Sequence, residues 1–451
     1  MFVSNPGHRS LSPPAQLAGR LSLRSPYAFH GLLLAAIVLL LLTACGNRDN
    51  GPATAVAEPP TAYPAPPQAT PTVHSYPGQP TPPTAVAYPP PGDTEEQLFL
   101  PAVRLDEAAT ATATPTPNPT DTPTPTPTPT IDFAAVRAEL QANNQDLAFV
   151  KIGFHVSSGG NSTGLGDWMR RLDAAGVPFF LKSADYAGPI LEAQQIAQAS
   201  GVPHVLVYRR SGDEYDVPNY DLPPAQAARQ HWQLHMDAFP PELDPSMVWL
   251  ETINEVDKER SAWLGQFAVE TARLALASGF RWAAFGWSSG EPDAADWRLP
   301  SMVEFLRLAA AYPDQLAIAL HEYSYVKNDI GHDYPFKLGR FQELFALCDQ
   351  LGIPRPTVLI TEWGWTYQEV PVPSAALEDI EWAASLYAPY PEIKGAAIWY
   401  LGSGFGNIAQ LAQPLIRPLT DFALGNYFAV PLPPDRAAIN PQLYPPPPPR
   451  R

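Results

Sequence analysis

The chain has little cysteine, little methionine and little basic charge. Its 451 residues include 2 Cys and 5 Met, and 28 Lys and Arg stand against 45 Asp and Glu. Two cysteines cannot knit a disulfide framework, so a folded domain must lean on a large apolar core. The formal charge of −17 argues against nucleic acid and anionic membrane surfaces as main partners, since both need a basic patch. A neutral polymer such as a polysaccharide stays open. The apolar run GLLLAAIVLLLL at 31–42 is short of the about 20 residues of a comfortable membrane span. The glycines of FHVSSGGNSTG lack G-x-G-x-x-G spacing, which weakens a nucleotide reading. The 9 His are dispersed. His231 and His235, spaced i, i+4 in ARQHWQLHMD, lack the glutamate of H-E-x-x-H, so neither a metal nor a cofactor is expected.

The N-terminus carries Arg9, Arg20 and Arg24, then the apolar run, then LTAC at 42–45. That is the layout of an export signal. LTAC resembles a bacterial lipobox, and the resemblance implies a signal peptide over 1–44 and lipidation of Cys45. An ordinary secretory signal or a short anchor is the alternative. The lipid reading implies an extracytoplasmic protein, held on the membrane at the cell surface or envelope. With Cys45 lipidated, Cys348 has no partner; it lies in the helix-like FQELFALCDQLG and is expected to be buried. Residues 45–130, including TATATPTPNPTDTPTPTPTPT at 110–130, are poor in core-forming side chains and rich in proline. Such a segment is expected to be a disordered, semi-rigid stalk. QLFLPAV at 97–103 interrupts it without explanation, and the proline-rich end, 441–451, reads as a tail.

Between 131 and 440, apolar runs alternate with helical patterns. The strand candidates are 148–156, 177–184, 202–210, 247–255, 281–289, 315–325, 357–365 and 393–402. Near-continuous apolar strands alternating with amphipathic helices describe βα units around a parallel sheet covered on both faces. Eight such units predict a (β/α)8 TIM barrel, with a doubly wound open sheet as the competitor.

Functional groups in such a barrel collect where strands end. Here the ends carry His155, Lys182 with Asp185, Tyr208 with Arg209, Asn254 with Glu255, Trp287 with Ser288, His321 with Tyr323 and Tyr325, Glu362 with Trp363 and Trp365, and Trp399 with Tyr400. Glutamates on strands four and seven can face each other across the mouth. A single strand-end glutamate is most simply a salt-bridge partner; the pair is what glycosidic bond cleavage requires.

INE at 253–255, HEY at 321–323, ITEWGW at 360–365 and IWY at 398–400 resemble the clan A, or four-over-seven, glycoside hydrolases, over residues 148 to about 405. The resemblance, loosely to cellulase and xylosidase branches, implies retaining cleavage of saccharides, with Glu255 as acid/base and Glu362 as nucleophile. It implies that Asn254 contacts the sugar 2-hydroxyl, Tyr323 donates to Glu362, Trp399 floors the subsite, and His321 and Arg209 position the rest. His155 joins this substrate-binding set. A catalytically silent glycan-binding barrel and a transglycosylase are the alternatives. A retaining pair should sit about 5–5.5 Å apart, with the pKa of Glu255 raised by burial and by Glu362. Alternation turns Glu322 away from the mouth if His321 and Tyr323 face it, and Glu251 lies deeper and less accessible.

All 11 Trp follow residue 131. Trp249, Trp263, Trp282 and Trp382 are expected in the core. Trp287, Trp363, Trp365 and Trp399 are expected as sugar-stacking or mouth-plugging rings. His204 is expected to be a satisfied core histidine, and segment 211–246 to line the cleft. A monomer acting on carbohydrate is the expected assembly.

Overall fold

The computed structural model describes residues 131–432. Cys45 and the segments expected to be a signal, a stalk and a tail lie outside the described residues. Strand β1 (Gln145–Ala148) precedes eight parallel strands: β2 (Ile152–Ser157), β3 (Phe180–Ala184), β4 (Val205–Arg209), β5 (Val248–Glu251), β6 (Arg281–Trp287), β7 (Leu316–Tyr323), β8 (Thr357–Gly364) and β9 (Ile393–Ile398). These eight close on themselves in chain order, with β2 pairing β9, as a (β/α)8 barrel. Strand β10 (Phe428–Pro431) pairs antiparallel with β1. This ribbon had no signature in the sequence, because four-residue strands carry too little pattern.

The helices Leu165–Ala174, Ala187–Ser200, Ser261–Ser278 and Pro300–Ala311 lie between the barrel strands, as the alternation of apolar runs with helical patterns predicts. Gly201 and Gly279 end two of them in left-handed C-caps. Segment 211–246 contains the helix Pro224–Ala238, with a short turn of helix, Asp213–Asp216, ahead of it.

The barrel interior is filled by complementary sizes. Phe180, Val207, Trp249 and Leu359 meet Ala283, Ala317, Ala319 and Ala397 in one buried cluster. Trp282 and Trp382 are also buried, and Trp263 is half-buried against the core. Cys348 is buried and free. His204 is fully engaged: its Nδ1 accepts the Phe179 N–H at 3.1 Å and its Nε2 meets Asp173 at 3.0 Å.

Candidate active site

Above that apolar plug, the next lumen-facing residue of five strands is polar. His155 follows Gly153 on β2, Lys182 follows Phe180 on β3, Arg209 follows Val207 on β4, and Glu251 follows Trp249 on β5. On β7, His321 and Tyr323 continue the row of Ala317 and Ala319. Period two alone generates these positions.

Glu362 does not follow that rule. Leu359 faces the lumen, so strict alternation would give Thr361 the next inward position and turn Glu362 outward. The pairing of β7 with β8 shifts by one residue here: Leu320 stands opposite Ile360, but His321 stands opposite Glu362. The extra residue is Thr361, and the bulge points Thr361 and Glu362 into the same space. A second irregularity lies in β6, between Ala284 and Trp287. Phe285 and Gly286 there have φ of 80° and 55°, and the Gly286 carbonyl accepts the Glu255 N–H at 2.8 Å. Glu255 itself has φ of 47°. A Cβ on Gly286 would stand 3.0 Å from Glu251 Oε1, so only glycine suits this position.

Glu362 is buried among donors. Tyr323 donates its hydroxyl to Oε2 at 2.8 Å and Lys182 Nζ lies 3.4 Å from Oε1. His321 Nδ1 is 3.7 Å away, His155 Nδ1 3.8 Å and Arg209 Nη2 3.9 Å. Burial alone would raise the pKa of Glu362, but the surrounding bases, His321, Lys182, His155 and Arg209, hold it well below the usual carboxylate range. His155 is driven neutral by burial and then by Lys182, so at neutral pH the cations that keep Glu362 ionised include Lys182 and Arg209. Burial and the Glu362 charge keep Tyr323 protonated, as a donor must be.

Lys182 is itself locked. Its ammonium lies 2.6 Å from Glu251 Oε2, and both side chains are fully buried. Thr361 Oγ1 donates to the other Glu251 oxygen at 2.8 Å. Glu251 therefore anchors the lysine and is sealed from a substrate. The sequence placed Lys182 at its strand end but gave it no role. Asp216, from the turn of helix after β4, likewise had no sequence signal. Its Oδ1 lies 3.5 Å from Arg209 Nη1, and its carbonyl accepts the Asn254 N–H at 2.9 Å.

Glu255 is in a different setting. Its side chain is 50% exposed, and Oε1 lies 3.2 Å from His321 Nδ1. That one ring nitrogen therefore reaches both glutamates, which face a common point over the mouth. The hydrogen bond from His321 lowers the Glu255 pKa more than burial raises it. The expectation of a raised pKa is thus corrected: Glu255 is only partly buried, and the hydrogen bond with its neighbour His321 outweighs that burial. Asn254 is half-buried, and its Oδ1 has no hydrogen-bond partner among the described residues.

The tryptophans also need correcting. Trp287 and Trp363 are fully buried and Trp365 is 1% exposed, so none can stack on a sugar here. Trp363 follows the inward Glu362 and faces outward; Trp365 donates Nε1 to Asp379 at 2.6 Å. Trp287 stacks on Phe285 at 5.0 Å. Trp399 is only half-buried and remains at the mouth, with Tyr323 6.3 Å away. The exposed rings near it are Tyr325, Tyr367 and Phe405, which the sequence did not single out as sugar-facing. Glu322 points outward, accepting the Gly339 N–H at 3.0 Å and the Tyr387 hydroxyl at 2.6 Å; burial raises its pKa to about 7. His231 and His235 share one acceptor, the Tyr215 carbonyl, at 3.1 and 3.2 Å.

No family model and no curated protein matches the chain. Solved structures do. A tri-modular GH5 (subfamily 4) endo-β-1,4-glucanase from Bacillus licheniformis is 12% identical with a TM-score of 0.35, over 56% of this chain and 54% of that one. A GH5 cellulase from an Icelandic hot spring isolate is 11% identical, TM-score 0.30, over 56% of this chain and 81% of that one. A chitinase from Chromobacterium violaceum is 13% identical, TM-score 0.30, over 59% of this chain and 99% of that one. The chain spans about half the length of the glucanase. Likeness at this level does not reach activity, and the site stands on its own geometry.

Proposed function

We propose that the protein is a retaining glycoside hydrolase acting on saccharides. The observation that carries this reading is the shared imidazole: His321 Nδ1 lies 3.2 Å from Glu255 and 3.7 Å from Glu362, so one sugar ring can touch both carboxylates. That geometry admits the about 5–5.5 Å spacing of a retaining pair.

Glu362, ionised and aimed by Tyr323 and Lys182, attacks the anomeric carbon. Glu255 gives its proton to the departing glycosidic oxygen, and a glycosyl ester on Glu362 forms. Water then attacks the anomeric carbon, Glu255 takes the water proton, and Glu362 leaves as carboxylate. The low pKa of free Glu255 fits this sequence once substrate covers its exposed half. Excluding water raises the carboxyl pKa, so that Glu255 holds the proton it gives to the leaving group. Asn254, whose buried amide oxygen has no partner among the described residues, is the residue assigned to the sugar 2-hydroxyl.

The test is turnover of aryl glycosides followed by NMR, in which the first product anomer must keep the configuration of the substrate. Inverted product would overturn the double displacement. A silent glycan-binding barrel is the second reading, favoured by the lowered pKa of Glu255; glycan binding without turnover by the wild type would establish it. The placement at the cell surface through lipidated Cys45 belongs to the proposal too. It rests on LTAC, and a Cys45→Ser variant that still takes up a labelled fatty acid would refute it.

A further inference from the structure

We infer that the mouth holds a neutral oligosaccharide along a row of aromatic rings that passes Glu362 and continues on both sides of it, so that the saccharide is cut internally. This rests on the glycosidase reading and names its substrate class.

Strand β8, which carries Glu362, sits between β7 and β9 in the barrel. Tyr325 follows β7, and Trp399 and Phe405 follow β9. Tyr367 follows β8 and lies on the β9 side, its ring 6.2 Å from Trp399 and nearly parallel to it at 25°. Phe405 closes on Trp399 at 4.9 Å. Trp399 meets Tyr323 at 6.3 Å, and Tyr323 lies nearly parallel to Tyr325, 6.3 Å away at 12°. The row thus runs from Phe405 and Tyr367 through Trp399 and Tyr323 to Tyr325, and Tyr323 is hydrogen-bonded to Glu362.

Its middle is half-buried and its ends are not. Tyr325 is 50% exposed, Tyr367 63% and Phe405 47%. Large rings left in water next to a reaction centre mark a binding surface, and a flat ring suits the C–H face of a sugar. A pocket for one terminal sugar needs a wall at one end of the row; here both ends open to solvent. The lysines around the mouth are matched by carboxylates. Lys337 backs the Tyr325 ring while bonding Asp333 at 2.6 Å, Lys258 faces Glu291 and Asp293, and Lys327 faces Glu369. That pairing favours an uncharged chain over an acidic one.

The experiment measures kcat/KM for 4-nitrophenyl gluco- and xylo-oligosaccharides of one to five units, with product lengths by chromatography. Isothermal titration of the Glu362→Gln variant with the same unlabelled saccharides runs beside it. The row predicts kcat/KM rising about 3- to 10-fold per added unit up to at least three units, with products of mixed length. In Tyr367→Ala and in Tyr325→Ala, the ratio of five-unit to one-unit kcat/KM should fall, each by shortening one side. Equal rates at all lengths, or products shortened one unit at a time, would overturn the inference. Length-dependent binding without turnover would refute the hydrolase reading and leave the row standing; turnover without length dependence would do the reverse.

Discussion

Glu362 and Glu255 carry the same functional group, and the protein treats them as opposites. Glu362 is buried, ringed by Tyr323, Lys182 and Arg209, and held by a bulge that fixes its direction. Glu255 stands half in water on a left-handed backbone with one close imidazole. A nucleophile must be charged and still, which costs a buried ion network. An acid/base must change charge during the reaction, so it gains from an environment that the substrate itself completes. In the proposed mechanism the fold determines the state of one carboxylate and leaves that of the other to the substrate.

The strongest way to break this comparison is to exchange the side chains. Glu362→Ala should lower kcat by more than about 10⁴-fold, as loss of a nucleophile does. Glu255→Gln should lower it by about 10²- to 10⁴-fold, and more steeply for substrates with poor leaving groups. Equal losses across leaving groups would remove Glu255 from the acid role.

The next effect is on stability. Lys182→Met leaves Glu251 buried without its cation, which should cost about 3–5 kcal/mol in urea denaturation. A loss below about 1 kcal/mol would mean the pair is not buried as described.

His321→Asn sharpens the contrast from the other side. Because His321 lowers the Glu255 pKa, removing it should move the alkaline limb of the kcat/KM profile upward. A downward shift would contradict the assigned hydrogen bond.

The smallest effect concerns Glu322, one residue from His321 but facing the helices. Its folded pKa of about 7 lies above the ordinary 4.5, so the folded protein holds this proton longer than the unfolded chain. Stability from this group is present below about pH 4.5 and is lost as pH rises through 7, by about 3 kcal/mol in all. Denaturation midpoints at pH 5 and pH 8 should converge in Glu322→Gln; an unchanged slope would place the titration elsewhere.

The eight barrel strands were legible because each is an apolar run with a polar end, a pattern that buried parallel strands impose. The two glutamates were legible for the same reason. The directions of some neighbouring side chains were not. Alternation was applied correctly to Glu322, yet the same rule puts Trp363 outside whenever Glu362 is inside. The bulge at Thr361 had no sequence signal, since an inserted residue looks like any other residue of a strand. Lys182 was visible as a strand-end residue, but its pairing with Glu251 needs two strands brought together. The low pKa of Glu255 depends on where His321 aims one nitrogen, which no spacing reveals.

The ribbon of β1 and β10 joins the first and last described strands beside the point where β2 enters the barrel. Both ends of the domain therefore depart from the shut side of the cylinder, away from the glutamates. A partner joined directly at either described end would meet the barrel on the side opposite the glutamates.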